Sequence, residues 1–135
     1  MTQQAAYQQW LDFSERDLSV AKHLFETFHP IPYEIICYHC QQSGEKALKA
    51  LYCFLGLPGG IPKTHDLSTL LDQMHKTVEV SEELYEIAER LSPYGTAGRY
   101  PSDLNFDGYF TKKAISSAQT MLDWVKANIT SHENE

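Results

Sequence analysis

The chain has 135 residues, 42% of them hydrophobic and 21% charged, the usage of a folded domain and not of a disordered segment. Its formal net charge of −7 argues against a protein that coats nucleic acid nonspecifically, because such binding needs many Lys and Arg contacts to phosphate. No apolar run approaches the roughly 20 residues of a membrane span, and MTQQAAYQQW lacks the basic-then-apolar layout of a secretion signal, so a soluble, cytoplasmic protein without a membrane contact is expected.

Helical periodicity governs the chain from its start. Tyr7, Leu11, Ser14, Leu18, Ala21, Phe25 and Phe28 step by three and four along one mostly apolar stripe. His29-Pro30-Ile31-Pro32 closes that helix, since proline cannot continue the hydrogen-bond ladder. A second long helix is expected over Tyr33 to Leu55, ended by the Gly56–Pro62 break. Thr64 is a candidate cap for a short third helix with Leu67, Leu70, Leu71 and Met74 on one side. Ser81 is a candidate cap for a fourth, whose buried face is Leu84, Ile87, Ala88 and Leu91; Ser92-Pro93-Tyr94-Gly95 should end it. An irregular segment follows, roughly Thr96 to Gly108. Thr111 then caps a last helix in which Ile115, Ala118, Leu122, Val125 and Ile129 share a face. No stretch alternates as a strand would. The expectation is all-α: a single domain over 1–130, an up-and-down bundle of four to five helices, with 131–135 as a polar, frayed tail.

Four polar residues of the second helix, His39, Gln42, Lys46 and Lys49, also step by three and four, so they share a face. Glu45 borders it and can pair with Lys49 at i,i+4. On composition alone, such a stripe is an ordinary solvated face. Cys37-Tyr38-His39-Cys40 has the spacing of half a metal site, but no second ligand pair accompanies it. Cys37 and Cys40 are therefore read as small buried side chains, and neither a metal nor a cofactor is expected. With Cys53 they make an odd count, which fits a reducing compartment. Gly44, inside the second helix, suggests close approach of another helix or a second subunit.

The stretches SERDLSVAKHLFE, YHCQQSGEKALKALYCFLG, PKTHDLSTLL and AGRYPSD resemble, in order and spacing, the HEPN family (higher eukaryote and prokaryote nucleotide-binding domains). The resemblance runs from about Trp10 to Val125. It implies a helical bundle, often dimeric, and a groove lined by the second helix, the Lys63-Thr64-His65-Asp66 turn and the Arg99-Tyr100-Pro101 segment. In that groove, Lys46 and Lys49 would act as point charges and Arg99 as a planar fork on phosphate. Thr64 and the N-terminal amides of the third helix would face an anion, with Tyr100 stacking on a base. Gln42, Glu45, His65 and Asp66 complete the candidate ligand-binding set. Tyr94 and Tyr109 are expected to pack under the irregular segment.

Ribonucleases of this family carry Arg, four to six residues, then His near the start of the last helix. After Arg99 those positions hold Leu104, Asn105 and Phe106, and the only formal match, Arg16 to His23, falls on the first helix. The resemblance is therefore to the branch encoded beside a minimal nucleotidyltransferase. It implies a noncatalytic nucleotide- or RNA-binding module with that partner, a toxin–antitoxin-like pair, and a homodimer. A metal-independent ribonuclease with a displaced His, His65 foremost, and a pure protein-interaction module are the alternatives.

Overall fold

The computed structural model describes residues 3–96 and 106–134. The described residues form five α-helices in succession: α1 (Gln3–Thr27), α2 (Tyr33–Leu55), α3 (Leu67–Met74), α4 (Glu82–Leu91) and α5 (Gly108–Glu133). A 3₁₀ segment, Ser92–Thr96, extends α4. The described residues contain no strand.

α2 is the centre of the molecule. It packs along α1 and α5, and touches α3, α4 and the 3₁₀ segment. The reason lies in its sequence: Ile36, Cys37 and Cys40 near its start, then Ala47, Leu48, Ala50 and Leu51, are completely buried. Small side chains alternate with large ones, so partner helices can approach from several sides. Tyr7, Leu11, Leu18 and Ala21 supply the α1 face, and Ala114, Ala118, Met121 and Val125 the α5 face. Each large apolar side chain so buried contributes roughly 1.5–3 kcal/mol.

Gly44 marks the closest approach, and it is internal. A Cβ there would lie 3.3 Å from Leu67 Cδ1 and Met121 Sδ and 3.4 Å from Leu91 Cδ1. The glycine lets α3, α4 and α5 close over α2, so it offers no surface to a second subunit.

The helix ends correct several details of the sequence reading. Asp66, not Thr64, caps α3, its carboxylate accepting from Ser68 N at 3.3 Å. Thr64 Oγ1 instead accepts from Asp66 N at 3.1 Å, two residues too early for a cap. Asp107, not Thr111, caps α5, accepting from Phe110 N at 2.9 Å. Thr111 is wholly buried, with its hydroxyl 3.7 Å from Cys37 Sγ. In both cases a carboxylate is the stronger acceptor for unpaired N–H groups at a positive helix end. Ser81 does cap α4, accepting from Leu84 N at 3.3 Å. Phe28 lies beyond the end of α1 and is 54% exposed. The apolar stripe therefore stops one step earlier than its spacing suggests. α5 continues through Ser131–Glu133, where the His132 ring meets Phe54 edge-on. Tyr94 is buried beside Phe106, but Tyr109 is 65% exposed with Lys113 over its ring.

Candidate functional site

The polar stripe of α2 is not a solvated face. Lys49 is buried, and His39 and Lys46 are half-buried against α1. Lys46 Nζ donates to Asp17 Oδ2 at 2.6 Å, and His39 Nδ1 lies 2.9 Å from Asp17 Oδ1. Ser14 Oγ donates to the Ser43 carbonyl at 2.7 Å, one turn along. Burial on its own would raise the Asp17 carboxyl. Hydrogen bonds from His39 and Lys46, and then their charges, outweigh it and hold that carboxyl below its ordinary value.

A second cluster centres on Glu45, which is 5% exposed. Its Oε2 accepts from Lys49 Nζ at 2.9 Å. Its Oε1 accepts from Gln41 Nε2 at 3.1 Å and faces His65 Nδ1 at 2.9 Å. Gln41 Nε2 donates also to the His65 carbonyl at 3.0 Å, and Gln41 Oε1 accepts from Gln42 Nε2 at 2.7 Å. Burial again works against ionisation, but hydrogen bonds from Lys49, Gln41 and His65, with the Lys49 charge, hold Glu45 low. An ionised carboxylate only accepts, so each facing nitrogen must carry its proton inward. These bonds pin the turn before α3 onto α2.

The two clusters differ in what they face. Lys49 sits under the Trp10 ring, 5.7 Å from its centroid, and Lys46 lies 6.0 Å from that of Phe13, both on α1. On another side of α2 a pocket of about 550 Å³ opens, within the roughly 300–1,000 Å³ usual for small-molecule sites. Tyr38 and Gln42 of α2 form one wall, and His65, Asp66 and Ser68 another. Glu89 of α4 and the 3₁₀ segment, through Ser92, Gly95 and Thr96, form the third.

Of the residues singled out in the sequence, Gln42, His65 and Asp66 meet in this pocket. Glu45 stands behind His65. Lys46 and Lys49 do not line the pocket: each is engaged by a carboxylate within the fold. Lys63 is exposed and Thr64 half-buried, and neither lines it. Arg99 and Tyr100 lie outside the described residues. The described lining contains no Lys or Arg, but two carboxylates, Asp66 and Glu89.

Sequence reasoning missed Gln41, the hinge of the whole network. Its i,i+4 spacing to Glu45 was the available signal. It also missed Gly95: a Cβ there would lie 3.2 Å from the Gln41 side chain, so any larger residue would oblige the buried Gln41 amide to shift by a few tenths of an ångström. Tyr38, Ser68, Glu89, Ser92 and Thr96 carried no sequence signal.

No group of three or more potential metal ligands occurs among the described residues. Cys37 and Cys40 are completely buried free thiols, both pushed up by desolvation. No described helix is long and apolar enough to cross a membrane.

A five-helix bundle with a polar pocket where α2 meets the turn before α3 defines the class of protein. The chain belongs to the HEPN domain family, whose model matches residues 7–128. It is similar to two solved structures. One is ST0689, an archaeal HEPN homologue, at 27% identity and a TM-score of 0.73 over 91% of this chain and 97% of that one. The other is TT1696 from Thermus thermophilus, at 26% identity and a TM-score of 0.73 over 90% of this chain and 96% of that one. No curated protein matches the chain.

Proposed function

We propose that the protein is a nucleotide- or RNA-binding helical module of the cytoplasm. In this reading it belongs to the Arg-Tyr-Pro-containing branch of its family and acts with a minimal nucleotidyltransferase partner as a toxin–antitoxin-like pair. The observation that carries the binding function is the pocket built by Gln42, His65 and Asp66, with its lip at Thr96. Arg99 follows Thr96 by three residues, and three residues of chain span at most about 11 Å. Arg99 and Tyr100 are accordingly proposed for the ligand's phosphate and base. A homodimer belongs to the same reading on the general prevalence of two-fold assemblies.

Calorimetric titration of ATP, GTP and a short single-stranded RNA into the wild type and the His65→Ala and Arg99→Ala variants tests it. Each variant should weaken binding about tenfold or more, the worth of one charge-assisted or fully desolvated hydrogen bond. Absence of binding by the wild type would leave the pure interaction module.

One observation favours the ribonuclease alternative. His65 Nδ1 is held by Glu45, and its side chain is 79% exposed. That arrangement leaves Nε2 able to take a proton. Metal-free RNA cleavage lost in His65→Ala would establish that activity. No cleavage above background is expected from the family's usual route, because Arg99 lacks its downstream His.

A further inference from the structure

The hydrogen bonds around Glu45 all run one way. Facing an acceptor-only carboxylate, His65 Nδ1 carries the proton, and in the neutral ring the exposed Nε2 then carries the lone pair. Gln41 Nε2 faces two acceptors, Glu45 Oε1 and the His65 carbonyl, which fixes the amide with its oxygen outward. That oxygen takes Gln42 Nε2, and Gln42 Oε1 is thereby left as an acceptor on a residue of the pocket wall. Ser92 Oγ lies 3.3 Å from Asp66 Oδ1 as donor, while accepting from Leu67 N. Glu45 thus draws donors inward and leaves His65 Nε2 and Gln42 Oε1 as acceptor atoms on two residues of the pocket wall. Asp66 and Glu89 add two carboxylates, with no Lys or Arg in the described lining.

We propose that this pocket takes the amino-bearing edge of a nucleobase, adenine or cytosine, and not a phosphate, with His65 Nε2 and Gln42 Oε1 as the accepting atoms. The proposal rests on the nucleotide reading above and specifies which end of the ligand enters. A phosphate placed here would face two carboxylates and the acceptor atoms. An exocyclic amine has two N–H donors, which match. The oxo group of hypoxanthine or uracil sets lone pair against lone pair where the amine stood; the neighbouring ring nitrogen gains one N–H, so one of two donors is lost, and a site built to receive both discriminates against that ligand.

The test compares ligands that differ in one amino-to-oxo exchange: adenosine against inosine monophosphate, and cytidine against uridine monophosphate. Titration into the full chain should favour the amino member of each pair by about tenfold or more, the consequence of one mismatched hydrogen bond. The preference should shrink in Gln42→Ala and His65→Ala, the first at a half-buried and the second at an exposed position, with circular dichroism used to select conditions under which each variant is folded. Equal affinity for the members of each pair, or a preference untouched by both variants, overturns the inference and leaves nucleotide binding standing. Failure of all four to bind overturns both. Tighter binding of argininamide than of adenosine monophosphate also overturns it, by assigning the acceptors to a protein side chain.

Discussion

At the scale of single residues, burial and partners separate side chains that share one helix face. Lys49 looks like a groove cation; in the fold it is 7% exposed, bonded to Glu45 and stacked against Trp10. Removing it strands a buried carboxylate, which costs about 3–5 kcal/mol when a buried pair loses one partner. Lys49→Ala should therefore lower the urea midpoint strongly, and affinity of the folded fraction for nucleotide should change little. A variant with the wild-type midpoint and lost affinity would return Lys49 to the groove. The Glu45–Lys49 pair was legible because helix geometry fixes it. His65 was not legible as its partner: twenty residues separate them, and only the packing of α3 brings the ring to Glu45. Charge type and period are local properties, whereas the identity of a buried partner depends on which helices meet.

At the scale of elements, the α1–α2 seam is the region where sequence reading and structure differ most. The α1 stripe follows from apolar spacing, and Tyr7, Leu11, Ser14, Leu18 and Ala21 are buried as that spacing requires. Asp17 escaped notice because it flanks the stripe instead of lying in it, yet it receives both His39 and Lys46. Its depressed carboxyl makes the seam sensitive to acid. A carboxyl held lower in the folded than in the unfolded chain contributes stability that is full above its unfolded value, near 4, and is lost as pH falls through the folded value. Glu45 acts in the same direction. Urea midpoints should hold from about pH 7 to 5 and fall below about pH 4, and Asp17→Asn should flatten the drop. An identical acid dependence in wild type and Asp17→Asn would show that the seam does not set it. The helix starts teach the same lesson on a smaller scale: both misplaced caps, at Thr64 and Thr111, come from choosing a hydroxyl where a nearby Asp competes for the same N–H groups.

At the scale of the molecule, the bundle was legible almost entirely, since five amphipathic segments of these lengths have few other ways to bury their apolar faces. The charge distribution was not. The chain is formally −7. Several of its cations have intramolecular partners: Lys49 on Glu45 and Lys46 on Asp17 in buried or half-buried pairs, Lys126 on Glu15 at the surface, and the exposed Arg16 guanidinium over Phe13. A cation already paired with a carboxylate offers an RNA backbone less than a free one. Counterion release contributes roughly 0.7 to the slope of log affinity against log salt for each phosphate neutralised on a single strand. If recognition is made mainly through a base in the acceptor-lined pocket, with Arg99 on a single phosphate, that slope should be no steeper than about −1 to −2. Lys46→Ala should leave it unchanged, because that ammonium already faces Asp17. Fluorescence-anisotropy titrations of a short labelled RNA over a range of potassium chloride concentrations measure the slope directly. A value near −5 would require about seven phosphate contacts, and with the described lining free of Lys and Arg those contacts would have to be made across another surface. A shallow slope that steepens when Glu89 is changed to Lys would instead place the strand's backbone beside α4, at the rim of the same pocket.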